Sequence, residues 1–365
     1  MSLSVVTFGE VMGRLTPKGM LRWPQALPGD VEFTFGGGEA NVAVSLAVLG
    51  AEASFVTALP RNPIADACVR YLDAMGVETS RIVRTDEGRL GLYYLEGGAN
   101  QRASVVTYDR AGSSLMLAPS EAYNWASILQ GAKWFHITGI TPALSRNAAD
   151  ATLAAVRAAN SRGLTVSCDL NFRRKLWSWH AGVAPRDLAE RTMRSILPFV
   201  NVVVANEEDA EMVLGIAASG TDVGTGVLRA DAYPAVAREV VRQFPNVSRV
   251  AVTLRESISA THNNWGGMLY DAATDTAEFA PHDGAGRYRP YEIKSIVDRV
   301  GAGDAFAAAL IHALSTPELS ASSAAVAFAA AASCLKHSIP GDANLTTRSE
   351  AEALMKGHGS GRVKR

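Results

Sequence analysis

Cysteine is scarce in this chain. Cys68, Cys168 and Cys334 are its three cysteines among 365 residues, far apart and without a CxxC pair. That spacing fits neither a disulfide framework nor a thiolate zinc site, and it suits the reducing cytoplasm. An excess of one charge is missing too, with 35 Lys and Arg against 36 Asp and Glu. A balanced chain lacks the broad positive field that gathers nucleic acid or an anionic membrane, so no nucleic acid and no membrane is expected as partner. Long apolar runs are absent as well. The stretch Leu319 to Leu335 is uncharged but Ser/Ala-rich, and it is shorter than the ~20 apolar residues of a spanning helix, so it reads as a buried helix. The opening "MSLSVVTFGEVMGRL" has no basic region ahead of an apolar run and reads as a β-strand, not a signal peptide. Two phosphate-binding motifs are also missing: "GGGEAN" is followed by no P-loop lysine, and no GxGxxG stands in the context of a dinucleotide site.

What is present is an ordinary globular composition, 48% hydrophobic and 19% charged, enough to bury a sizeable core. Short β-rich runs alternate with helical stretches: "SVVTFGEV", "ANVAVSLAVLG", "ASFVTALP", "ADACVRYLDAMG", and later "KWFHITG", "TVSCDLN", "VNVVVANE" and "RVAVTL". Such alternation predicts βαβ units and a doubly wound, mostly parallel sheet with helices on both faces. Residues 1–14, 35–87 and 114–350 are assigned to this main domain. Residues 15–34 and 88–113 instead alternate polar and apolar residues around Gly and Pro, the pattern of a small antiparallel sheet lying over the main domain. The Gly/Ala/Asp-rich stretch near 216–232 reads as a surface insertion, and residues 351–365 as a frayed tail.

Four stretches carry chemistry. In "DRVGAGDAFAAALIHAL", Asp298 to Leu314, Gly301 and Gly303 permit positive φ and close approach of main-chain N–H groups to an anion. The following residues place Phe306, Leu310 and Leu314 on one helical stripe. A glycine turn feeding a helix start favours negative charge, and Asp304 falls in the first turn either as a dipole complement or as a functional acid. The probable strand "YEIKSIVD" directly precedes it, which places the turn where open α/β sheets bind ligands. In "FTFGGGEANVAVSLAVLG", Gly37 and Gly38 lead into a helix whose inward stripe is Val42, Leu46 and Leu49, leaving Asn41 near its start to meet a ligand hydroxyl. "SCDLNFRRKLWSW" contributes Arg173, and "VVVANEEDAEMVLG" contributes Asn206 and Asp209 at a strand end opening into a helix.

Gly-Gly-x-x-x-Asn-x-Ala and Asp-x-x-Gly-Ala-Gly-Asp-x-Phe together resemble the two signatures of the PfkB, or ribokinase-like, carbohydrate kinases, and the resemblance spans nearly the whole chain. It implies ATP-dependent phosphorylation of a sugar hydroxyl, with a β-sheet lid over the sugar. Asp304 would be the base, and the N–H groups of Gly301, Ala302 and Gly303 would hold the transferring phosphate. The run Asp-Leu-Asn-Phe-Arg resembles the corresponding segment of the family's 2-keto-3-deoxygluconate kinases. Two arginines, Arg173 and Arg110 from "VVTYDRAGS", suit a sugar carboxylate that a guanidinium grips bidentately. Tyr93 and Tyr108 are further sugar contacts on this reading, with Gly37, Gly38 and Asn41. Asn206 and Arg255 are assigned to the nucleotide with Gly301 and Gly303, and Asp209 to Mg2+ through water, because the family's motif has Glu there. A neutral-sugar kinase and a non-catalytic sugar-binding protein are the alternatives. A homo-oligomer joined through the lid is expected, since an exposed sheet needs cover.

The chain also departs from the family's pattern. Arg299 and Val300 stand between Asp298 and Gly301, and "RESISATHNNWGGMLYD" replaces the usual glycine-rich turn after "RVAVTL". Arg299 faces either a phosphate or a nearby acid.

Overall fold

The computed structural model of the chain describes residues 3–206, 208–217 and 229–358. Its central sheet has nine strands. From one edge they run Thr276–Ala280, His262–Asp271, Arg249–Ser259, Val202–Ala205, Thr165–Asp169, Trp134–Thr138, Ser4–Phe8 and Glu52–Val56, with Tyr291–Ile293 paired beside His262–Asp271. The strands from Arg249–Ser259 to Glu52–Val56 are parallel. Those beyond Arg249–Ser259 are antiparallel.

Adjacent side chains on a strand point to opposite faces, so each parallel strand feeds two cores. Val5 packs in one cluster with Phe55, Phe306 and Phe328, and Val6 in the other with Phe8, Phe135 and Trp177. Strands buried on both sides need continuous apolar sequence, which is why Val202–Ala205 reads VVVA without alternation. The helices Ala302–Leu314 and Ser322–Lys336 pack closely because Ala307, Ala308, Ala309 and Ala329 to Ala332 leave room for the backbones, and all seven are fully buried.

A separate four-stranded sheet lies at the carboxyl ends of the main strands, in the order Glu32–Gly36, Met12–Thr16, Gly91–Glu96, Val105–Asp109. The middle pair is parallel, not antiparallel, because Met12–Thr16 and Gly91–Glu96 both leave the main domain in the same direction. Met12, Tyr93 and Leu95 form a small buried cluster under it, with Val300 packed against them. The lid therefore rests on the turn that precedes Gly301.

The lid strands Met12–Thr16 and Glu32–Gly36 also run beyond the expected bounds of 15 and 34, and two further local expectations differ from the structure. The strand read in "YEIKSIVD" is only Tyr291–Ile293, and bends carry the chain from there to Gly301. The region from 351 is not frayed throughout: Arg348–Met355 is a helix, started by a Thr347–Glu350 capping box and tied down by buried Ala351. Residues 218–228 and 359–365, within the expected insertion and tail, lie outside the described residues.

Candidate active site

A cleft of about 320 Å³ opens between the lid and the main sheet. Gly37, Gly38, Asn41, Tyr93, Tyr108, Arg110, Arg173, Asn206, Asp209, Arg255, Gly301, Ala302, Gly303 and Asp304 all line it. These residues come from segments up to 267 positions apart, the distance from Gly37 to Asp304 (304 − 37). They meet because the parallel strands end on one edge of the sheet, where loops converge.

The turn before Asp304 is built on one conformation. Gly301 adopts φ 83°, in the left-handed region, and a Cβ there would stand 2.0 Å from the Asp342 carbonyl oxygen. Only glycine meets both demands. Gly303 differs from expectation: it lies inside the helix Ala302–Leu314 with no positive φ and open space beside it. Gly37 is needed for close approach, since a Cβ would stand 2.1 Å from the Glu10 carbonyl oxygen.

Asn41 fixes the acid. Its Nδ2 donates to Asp304 Oδ2 at 2.7 Å, and its Oδ1 accepts from the Gly37 N–H at 3.3 Å. Burial pushes the Asp304 carboxyl up to about 7, helped by the Asp342 and Glu39 carboxylates and opposed by the Asn41 hydrogen bond and by Arg173. The helix start alone would lower it, so desolvation wins. The result is a carboxylate of raised basicity near neutral pH.

Around Asp304 the charges divide. Asp169 and Asp209 are buried, and desolvation raises both; Arg173 opposes the rise in each. Arg173 is itself exposed, donating from Nη1 to the Phe172 carbonyl at 2.9 Å. It reaches the cleft beside these acids.

Three residues are more engaged than expected. Arg110 is buried and directs Nε (2.7 Å) and Nη2 onto Glu10 Oε2, while Ser113 donates to Glu10 Oε1. With that side of its fork taken, Arg110 cannot grip a sugar carboxylate through Nε and Nη2. Tyr93 donates its hydroxyl to the Asp342 carboxylate at 2.6 Å and is 4% exposed, whereas Tyr108 remains accessible with the Arg110 guanidinium over its ring. Asp209 accepts from the Phe172 N–H and the Asn206 N–H, each at 3.0 Å. Asp209, the expected water-mediated magnesium ligand, thereby fastens the 172 loop to the start of the helix Asp209–Leu214. Among the described residues no cluster of three or more His, Cys, Asp or Glu offers a metal cage. Glu207, between Asn206 and Asp209, lies outside the described residues.

Sequence reasoning passed over Glu10, Asp169 and Asp342, all of which line the cleft. Each is an acid at the end of a strand or just beyond a strand or turn, in "TFGE", "SCD" and "IPGD". An acid next to a glycine or ending a buried strand was the available signal.

The pfkB family carbohydrate kinases match residues 2–254 and 271–348 of the chain. A 2-dehydro-3-deoxygalactonokinase of Haloferax volcanii is 33% identical over 363 residues, 99% of each chain. The crystal structure of a 2-dehydro-3-deoxygluconokinase from Thermotoga maritima superposes with a TM-score of 0.87 at 44% identity, covering 97% of this chain and 100% of that one. A ribokinase II structure from E. coli in complex with ATP and Mg2+ shares the fold at a TM-score of 0.75 and 18% identity, covering 98% and 100%.

Proposed function

Because the chain belongs to the pfkB family of carbohydrate kinases, phosphotransferases that act on a sugar hydroxyl, we propose that it phosphorylates the terminal hydroxyl of 2-keto-3-deoxygluconate or a related acid sugar with ATP. The observation that carries this is Asp304 held by Asn41 at the mouth of the Gly301 turn, with Arg173 in the same cleft. As the sugar oxygen forms its bond to the γ-phosphorus, the bond to the ADP oxygen breaks and the hydroxyl proton passes to Asp304. The free N–H groups of Gly301, Ala302 and Gly303 face the transferring group, since the first turn of a helix leaves its donors unpaired. Asn206 and Arg255 take the rest of the nucleotide. Mg2+, carried on the ATP, would shield its phosphates there; an ion that keeps most of its waters needs no protein cage.

Arg173 is assigned to the sugar carboxylate, since Arg110 is committed to Glu10. Arg173→Met is expected to raise KM for 2-keto-3-deoxygluconate about 10- to 100-fold, the loss of one charge-assisted contact. A neutral sugar such as fructose gains nothing from Arg173. A coupled ADP-release assay over acid and neutral sugars tests both statements. Turnover of neutral sugars alone would reassign the substrate, and no turnover across the panel would favour the non-catalytic alternative.

The lid's cover is proposed to be a second copy of the chain. Phe33 and Val105, 45% and 54% exposed, leave apolar surface on the lid strands. Light scattering should give a dimer, and Val105→Lys should shift it to monomer. A wild-type monomer at micromolar concentration sinks this.

A further inference from the structure

One cation of the cleft has no carboxylate partner among the described residues. Arg299 lies two residues before Gly301, half-buried, and lines the cleft with Arg255. Its Nη2 donates to Asn263 Oδ1 at 2.9 Å and, more weakly, to the Ser259 carbonyl at 3.4 Å. Its Nε is buried without a hydrogen-bond partner. Among the described residues no carboxylate pairs with it, and the charged group that bears on it most is the Arg255 guanidinium. The other arginines here are treated differently. Arg14 has two carboxylates, Arg110 has Glu10, and Arg173 sits beside Asp169, Asp209 and Asp304.

A half-buried guanidinium with only neutral oxygens for partners is unfavourable until an anion arrives. Its place beside the Gly301 turn limits which anion. The turn receives the transferring phosphoryl group, so a cation just outside it meets the phosphate behind. We propose that Arg299 is a catalytic residue, the charge partner of the ADP leaving group. This rests on the kinase reading above and adds to it a residue that composition and motif left without a role.

During transfer the bond from the γ-phosphorus to the bridging oxygen breaks, and negative charge moves onto the β-phosphate as the sugar proton moves to Asp304. The Arg299 guanidinium offsets that charge where it develops. Its hold on Ser259 and Asn263 also ties the hairpin Arg249–Asp271 to the leaving-group side. That hairpin stands where a glycine-rich turn was expected, so a side chain would do what main-chain N–H groups cannot do here.

The experiment compares wild type with Arg299→Met and Arg299→Lys, reading ADP and adenosine binding by calorimetry and kcat by ADP release. Arg299→Met is expected to weaken ADP about 10- to 50-fold and to lower kcat about 100-fold, while adenosine and the sugar bind as in wild type. Unchanged sugar binding also shows that the variant is folded. Arg299→Lys should recover part of the ADP affinity, because a point charge keeps attraction but not the fork. Equal ADP affinity in Arg299→Met and wild type overturns the proposal. Equal losses for ADP and adenosine overturn it as well, since Arg299 would then only shape the hairpin. If wild type binds neither nucleotide, the kinase reading itself fails and takes this proposal with it.

Discussion

Asp304→Asn is expected to lower kcat by about three orders of magnitude, the range that loss of a positioned general base spans, with KM changed only a few-fold. The amide keeps the size of the carboxyl group and a carbonyl oxygen for Asn41 Nδ2, which now donates at 2.7 Å. It cannot take the proton. Near-normal turnover in the variant would remove Asp304 from the chemistry. The wild-type pH profile gives an independent check: with its carboxyl at about 7, kcat/KM should rise through that pH and level off above it. Stability should run the other way. The folded protein holds this proton more tightly than the unfolded chain does, so the group's contribution to stability falls as pH rises from about 4 to about 7. Denaturation of Asp304→Asn at pH 8 should therefore show stability equal to or above wild type, and lower stability would mean that the carboxylate is structural.

Arg14→Met is expected to give the largest loss of stability, about 3–5 kcal/mol, because it strands buried carboxylates. Arg14, on the lid strand Met12–Thr16, reaches Asp342 Oδ1 with Nη1 at 2.7 Å and Asp298 Oδ2 with Nη2 at 2.6 Å, and it is 5% exposed. Asp298 also accepts from the N–H groups of Val300 (3.0 Å) and Gly341 (3.1 Å). Asp342 receives the Tyr93 hydroxyl and, through its carbonyl, backs Gly301. Lys336 lies fully buried near both acids, donating to the Ile339 carbonyl at 3.0 Å. Without Arg14, two carboxylates keep one cation between them. Urea denaturation at pH 7 measures the loss, and Arg14→Lys should recover part of it. A variant within about 1 kcal/mol of wild type would show that the acids find other partners and that this contact does not hold the lid.

The sequence by itself determined the fold class and most of the cleft. Continuous apolar runs such as VVVA suit a strand buried on both faces of a sheet, and a glycine turn feeding a helix start favours an anion. Those features are local, so they are legible one stretch at a time. The identity of each residue's partner was not. Nothing in "VVTYDRAGS" shows that Arg110 is already taken by Glu10, 100 positions away, or that Asp209 spends its carboxylate on two backbone N–H groups. The short strand Tyr291–Ile293 was misread because "YEIKSIVD" has β-rich composition, yet pairing with His262–Asp271 extends over only three residues. Asp304 shows the division most plainly. Its place in the first turn follows from Gly-Ala-Gly-Asp, but its raised basicity comes from burial and from the Asp342 and Glu39 carboxylates, which outweigh the Asn41 hydrogen bond and surround it only after the chain has folded. Electrostatic character depends on what excludes water and which charges lie near, and for this cleft only tertiary structure decides both.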